Sequence, residues 1–409
     1  MSFSSEPGPS SGWGSSVSTN SFNPNTPSAE GAGSLSPSNN SSAQRIELGE
    51  LDLDTLLRLG VAQGASDIHL RVGTPPMLRK DGDIFYTKLP PVSLDSMKGY
   101  LQRMVPKSHI PKLQQRTEHD FSFSMPGLAR FRVNLFYEMS RPGMVLRVVP
   151  ERVPQLEELD LPSVLSRFTT LNRGLVLFTG PTGAGKTTSM ASMLEHINRS
   201  HAKHIITLED PVEFVHSSQK STITQRQLGL DTDTFPNAIK YALRQDPDVI
   251  LLGEMRDRET ILSALHAAET GHLVFSTLHT NDAVQTINRI INAFEPHERE
   301  PVRLQLANVL QGTVSQRLVR RAEGAGRYAI LEIMFVTPAV RDYIERSEID
   351  EIYALLKNGE FEGMYSLNVA LYRAYQQGII NDDVALKASD NPHELHQMFR
   401  GAFHGQISG

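Results

Sequence analysis

The spacing of apolar and polar residues changes character twice along this chain. From Arg45 the stretch "LDTLLRLGVAQ" repeats apolar residues at helical spacing, and "ASDIHLRV" then alternates, with Ile68 and Leu70 on one face. "PPMLRKDGDIFY" supplies a proline stop, a strand and an Asp-Gly turn. "LARFRVNLFYEMSRPGMVLRVVP" reads as two strands joined at Arg141-Pro142-Gly143. Residues 45–150 are therefore expected to form a small α+β domain. The acidic, proline-punctuated stretch 151–160 follows as a linker.

Beyond it short apolar strands alternate with helices. "GLVLFTG", "HIITLED", "VILLGE" and "HLVFSTL" are the strands; "TTSMASMLEHINR", "TFPNAIKYALRQ" and "ETILSALHAAETG" are the helices. This alternation predicts an α/β domain over 161–390, a mostly parallel sheet flanked by helices. From about Pro301 to Asp390 the pattern reads as largely helical. Residues 391–409 are expected to be a flexible tail. "HELH" sets His393 and His396 about one helical turn apart, but without a third ligand nearby the pair is expected to be solvated. Residues 1–44 are rich in Ser, Gly, Pro and Asn and nearly uncharged, so they cannot bury enough apolar surface to offset ordering and are expected to be disordered. Trp13, the single tryptophan, lies there with Phe3 and Phe22.

Composition narrows the function classes. The 409 residues are 39% hydrophobic and 21% charged, with a formal net charge of −6. That acidity gives no support for nucleic-acid binding, which usually needs a basic face. The absence of cysteine excludes disulfides and thiolate metal sites. Apolar runs fall far short of the ~20 residues that span a bilayer, and no basic start precedes an apolar core as in a secretory signal. A soluble intracellular protein is expected.

The chemistry begins at "GPTGAGKTT", Gly180 to Thr188, between a strand and a helix. It fits the P-loop pattern in full: Gly180, then Gly185, Lys186 and Thr187. Glycines let the N–H groups of Gly180, Thr182, Gly183, Ala184 and Gly185 curl round phosphate oxygens at a helix N-terminus, while Pro181 in the same run has no N–H to give. Lys186 is placed for the β- and γ-phosphates of ATP, the Thr187 hydroxyl for Mg²⁺, and Thr188 completes the cradle. In "VILLGEMRD" the strand ends in Gly253-Glu254, where a carboxylate can polarise an attacking water; an ion pair with Arg256 or Arg258 is the plain alternative. "ITLEDPVEF" carries Glu209, Asp210 and Glu213 to the same sheet edge, an acidic group that a hydrated Mg²⁺ would offset, with turn capping open for Asp210. His272 reads as structural. His279, at a strand end, is either structural or a γ-phosphate sensor. Arg130 and Arg132 leave one face of a strand, with Arg147 on the next; an exposed strand face is the default, a phosphate at a domain or subunit boundary the other reading.

Taken in order, "QGASDIHL", "ARFRVNLF", "GPTGAGKTT", "ITLEDPVEF", "DPDVILLGEMRD" and "ETGHLVFSTLHTNDA" resemble the secretion and type IV pilus motor ATPases, most closely the pilus retraction ATPases of the twitching-motility family, over about Leu51 to Ala385. The resemblance implies a PAS-like N-terminal domain, a RecA-like P-loop core and a homohexamer at the cytoplasmic face of the inner membrane. It implies Glu254 as catalytic carboxylate of an atypical Walker B, Glu213 and then Glu209 as functional acids of an Asp box, and His279 of a His box near the γ-phosphate. Arg132 and Arg147 resemble the arginines that reach the nucleotide from the N-terminal domain. Domain movements driven by ATP would pull subunits from the pilus base. "GEMRD" resembles the retraction spelling, and the lack of a four-cysteine zinc motif argues against an assembly ATPase. An assembly or secretion ATPase, or a weakly hydrolysing regulator of another ring, are the alternatives. "AVRDYIER", 339–346, stands where the family's "AIRNLIRE" faces the membrane platform protein, and departs from it at Asp342 and Tyr343.

Overall fold

The computed structural model describes residues 52–401 apart from 81, 107–109, 111–117, 150–151 and 325. The expectation of disorder over 1–44, and Trp13 with it, lies outside the described residues.

Six antiparallel strands form the first sheet: β1 (Asp67–Arg71), β2 (Met77–Lys80), β3 (Asp83–Tyr86), β4 (His119–Met125), β5 (Ala129–Glu138) and β6 (Arg141–Val149), in the order β3-β2-β1-β6-β5-β4. Helices Leu53–Ala62 and Leu94–Met104 start where Asp52 and Ser93 accept from the backbone N–H three residues on. Their Leu56, Leu57, Met97 and Tyr100 bury against Ile68, Leu70, Phe131, Val133 and Leu146. Strict alternation along β5 puts Phe131 and Val133 in this core and turns Arg130 and Arg132 to the other face, as expected.

The β5–β6 turn differs from the expected one. It falls at Met139-Ser140, and Arg141-Pro142-Gly143 belong to β6. Both Met139 and Ser140 take positive φ, 48° and 64°, the twist that a two-residue hairpin needs. Proline is tolerated inside β6 because pairing with β1 stops at Arg71↔Gly143, leaving that side free beyond it.

The second sheet has seven strands in the order β13-β12-β7-β11-β10-β8-β9. They are β7 (Gly174–Thr179), β8 (His204–Glu209), β9 (Thr222–Gln227), β10 (Val249–Leu252), β11 (Leu273–Leu278), β12 (Leu310–Arg320) and β13 (Arg327–Phe335). All neighbours are parallel except β12 and β13. Every residue of β7, β10 and β11 is buried, as helices on both faces require. The helical reading from Pro301 fails over 310–335, where β12 and β13 form a hairpin that extends the sheet. Helix Arg299–Val309 ends where β-branched Val309, Thr313, Val314 and Val319 begin, and an apolar run of that length fits either period until a partner strand decides it. Gly312 is needed there: a Cβ would lie 2.4 Å from the Met334 carbonyl and 2.6 Å from the Phe168 ring.

Part of the tail expected to be flexible is also folded. Helix Pro392–Phe399, capped by Asn391, buries Leu395 and Met398 against Val319, Leu367 and Leu371. No helix among the described residues is long and apolar enough to cross a membrane.

Candidate active site

The P-loop closes the carboxyl end of β7, the position in open α/β sheets where ligands bind. Gly180, Gly183 and Gly185 take φ of 133°, 80° and 87°, and helix Lys186–Ser200 follows directly. A Cβ on Gly180 would sit 2.2 Å from the backbone carbonyl of Gln316, so only glycine fits. Pro181, Thr182 and Gly183 are exposed, Ala184 is buried, and Thr187 and Thr188 are half-buried at the helix start. Lys186 is buried, and its Nζ donates to the loop's own carbonyls, Gly180 at 2.7 Å and Pro181 at 3.1 Å. Burial lowers the lysine pKa, while Glu254 and Glu213 act to raise it. A buried cation resting on weak carbonyl acceptors, inside a ring of positive-φ glycines, fits phosphate.

One support of this loop escaped the sequence reading. Gln316 of β12 donates from Nε2 to Ala184 O at 2.8 Å and accepts from the Ser189 hydroxyl at 2.9 Å. Beside it Thr179 donates to the Ser315 hydroxyl at 2.9 Å. Only the pairing of β12 with β7 brings them here, and a helical reading of 310–320 conceals that pairing.

Glu254 follows β10 at the neighbouring strand end. Gly253 before it has a packing reason: its N–H donates to Leu208 O at 2.8 Å, and a Cβ would meet that oxygen at 3.3 Å. Thr277 fixes the next turn by donating to Gly253 O at 2.7 Å. The Glu254 carboxylate, 14% exposed, lies 2.6 Å from Arg256 Nη2 and 3.5 Å from His279 Nε2. The ion pair with Arg256 is thus present, and its hydrogen bond to Glu254 raises the Arg256 pKa. Arg258 turns away to Glu298. His279 is half-exposed at the end of β11, whereas His272 sits before that strand with Nδ1 2.9 Å from Ala267 O.

Glu209 at the end of β8 points inward, accepting from the Thr207 hydroxyl at 2.7 Å and Gln225 Nε2 at 3.2 Å. Burial raises its pKa against the hydrogen bonds from Thr207, Gln225 and the Glu213 backbone, and the Glu213 charge adds a smaller upward push. The Asp210–Pro211 peptide is cis. Asp210 is exposed and Glu213 half-buried, the latter within electrostatic reach of both Lys186 and Glu209. Among the described residues no cluster of three acids or histidines is arranged to hold a metal. An ion here would take its protein ligand from Thr187 and the rest from water and phosphate, the set that a reluctantly dehydrated Mg²⁺ prefers.

The three arginines lie on β5 and β6 of the first sheet, as expected. Arg147 is held in its own sheet by Asp67, Nε to Oδ1 2.9 Å, with Arg132 opposite it in register. Arg130, not picked out by the resemblance, donates to Gln227 Oε1 at 3.3 Å. The same oxygen accepts from Val212 N at 3.4 Å, in the turn that carries Glu213. Lys186, Glu213, Glu254 and His279 are therefore brought together, with Glu209 behind them; Arg132 and Arg147 stand on the other sheet.

Residues 50–366 match the family described as type II/IV secretion system protein. The type IV pilus retraction ATPase PilT of Pseudomonas aeruginosa is 43% identical over 84% of this chain and 99% of its own length. A twitching motility protein of Neisseria gonorrhoeae is 44% identical over 83% of this chain and 91% of its own. The crystal structure of the pilus retraction motor PilT with bound ADP superposes with a TM-score of 0.80, at 42% identity, covering 85% of this chain and all of that one.

Proposed function

The chain belongs to the type II/IV secretion system protein family, and from that membership and the site's geometry we propose that it is an ATP-hydrolysing motor of a type IV pilus, working in the retraction direction. The observation that carries the reading is the meeting of Glu254, His279 and the P-loop lysine at one sheet edge.

In this reading Lys186 exchanges the carbonyls of Gly180 and Pro181 for phosphate oxygens, which are stronger acceptors for a desolvated ammonium. The P-loop N–H groups and the helix N-terminus hold the same anion. Mg²⁺, held by Thr187, would supply charge neutralisation on the phosphates. Glu254 polarises the attacking water, with Arg256 and His279 fixing its two oxygens. His279 is placed to register whether the terminal phosphate is present. Glu213 modulates Lys186, and the inward-turned Glu209 supports the β8 end. Arg132 and Arg147, which stand on the other sheet, would reach nucleotide across a subunit boundary or by movement of 45–150 against 161–390, the two domains joined by the 151–160 linker. That requirement favours a homohexamer whose domains move with the nucleotide.

The partner at the base of the pilus is an inner-membrane platform protein, met by 339–346. In helix Pro338–Arg346, Val340 and Ile344 are buried, while Arg341, Asp342 and Glu345 line an open surface cavity of about 340 Å³, a charged face available to a partner. Such a motor works in the cytoplasm, peripheral to that membrane.

The reading is tested by ATP turnover of Glu254→Gln. Loss of the base is expected to lower turnover by roughly 10²–10⁴-fold while ADP affinity is kept. Turnover equal to that of the unsubstituted protein would remove Glu254 from the chemistry.

A further inference from the structure

Glu332 is an acid that the chemistry above does not use, yet it lies mid-strand in β13 with 1% of its surface exposed. One carboxylate oxygen accepts from Ala283 N at 2.9 Å and the other from Leu367 N at 3.3 Å. Each is the first residue of a helix, Ala283–Asn292 and Leu367–Gln376. Helix N-termini present unpaired N–H groups and a positive dipole end, so a single carboxylate here closes two of them at once.

The two helices belong to different parts of the molecule. The first grows out of the His279 turn: its N-cap Asp282 accepts from Gln285 N at 2.7 Å, and the Thr280 and Thr286 hydroxyls are 2.6 Å apart. The second opens the C-terminal helices, its Leu371 packed with Ile380, Leu395 and Met398. Between them Glu332 borders an open cavity of about 310 Å³ lined also by Asp282, Asp350, Tyr353 and Asp390.

We propose that Glu332 is a positioning residue for ATP hydrolysis. By binding Ala283 and Leu367 together it makes the His279 turn and the C-terminal helices move as one piece. The inference rests on the reading that this chain hydrolyses ATP at Glu254.

The surroundings make the joint responsive to pH. Burial pushes the Glu332 carboxyl up to about 7, with Asp282 and Asp390 adding to the shift and the Ala283 and Leu367 N–H groups opposing it. From the other elements, Arg317 of β12 is engaged by Asp390, the Tyr353 hydroxyl donates to Glu394, and Lys357 pairs with Glu394. Asp350 completes the acidic side. Ionised, Glu332 accepts from both N–H groups. Protonated, its hydroxyl oxygen is the poorer acceptor and one helix is released. Stability runs the opposite way. A folded pKa above the usual 4.5 contributes stability that is complete below that value and is lost as pH rises through about 7.

Hydrogen exchange and ATP turnover of the full chain between pH 6 and pH 8 test this, using Glu332→Gln and Leu367→Pro. After correction for intrinsic rates, the unsubstituted protein should protect the amides at 283 and 367 better at pH 8, and turn over faster there. Glu332→Gln, an isostere of the protonated side chain, should stay at the low-pH values throughout with ADP affinity unchanged. Leu367→Pro deletes one N–H without altering charge but also trims a buried side chain. Leu367→Ala, which trims it and keeps the N–H, is the control and should retain turnover at pH 8. Proline suits a first helical position, and Ser366 before it is already extended, so the proline variant should lose turnover at pH 8 while its Ala283 amide stays protected. Glu332→Gln that matches the unsubstituted protein at pH 8, or that fails to fold at pH 6, overturns the proposal. If the unsubstituted protein shows no turnover, the hydrolysis reading falls, and the exchange difference still judges Glu332.

Discussion

Two glycines at the site differ in how little room they have, and that difference is measurable. At Gly180 an added Cβ would strike the rigid Gln316 carbonyl at 2.2 Å, in a backbone with φ of 133°. At Gly253 it would come to 3.3 Å from Leu208 O with ordinary backbone. Gly180→Ala should therefore cost about 3 kcal/mol or more in unfolding free energy and abolish ADP binding. Gly253→Ala should cost about 1 kcal/mol, keep ADP binding, and lower turnover by pushing Glu254 off the β10 end. Urea unfolding and ADP titration separate the two; equal losses would contradict the packing argument. The acids and the lysine could be read from sequence because strand ends and the P-loop spacing announce them. Gln316 and Gln227 could not, since a glutamine acquires its role only from the strand that happens to lie beside it.

At the scale of elements, the loop carrying Glu213 is pinned to the P-loop helix. Buried Glu195 accepts from Gln219 Nε2 at 2.6 Å and lies 3.2 Å from His216 Nδ1, while Asn198 donates to Ser217 O at 2.9 Å. Burial lowers the His216 pKa against the pull of Glu195. Hydrogen bonds from Asn198, His216 and Arg199 leave the Glu195 pKa lowered despite the opposing effect of burial. Both signs agree. The unfolded histidine takes a proton below about 6.5, where the folded one resists it, and the folded carboxylate resists protonation below 4.5. Stability from this cluster should fall as pH drops below 6.5, and His216→Asn should flatten that part of the profile. Denaturant midpoints at pH 7 and pH 5.5 check it; an unchanged slope would exclude the cluster. The alternation of β7, β8, β10 and β11 with helices is plain in the sequence; β9, polar along "TITQRQ" and joined to β8 without a helix between, is not. The pattern misled from Leu310 onward because β13, the partner that makes β12 a strand, had itself been read as helix. The Met139-Ser140 turn is hidden for a related reason: Pro-Gly nearby is the stronger local signal, yet Pro142 lies inside β6, opposite Tyr137 of β5 and just beyond the last pairing with β1.

At the scale of the whole molecule, the site and the candidate partner face occupy different ends of one covalent path. The residues proposed to act on nucleotide follow the carboxyl ends of β7, β8, β10 and β11, while helix Pro338–Arg346 follows directly on β13. Hydrolysis at Glu254 can do mechanical work only if that edge and those helices are coupled. Surface pili counted in cells carrying Glu254→Gln at the native locus read out the direction of that work. An excess of pili together with lost twitching is the predicted result. Bald cells would contradict the account, since they would mean that the motor assembles the fibre instead of withdrawing it.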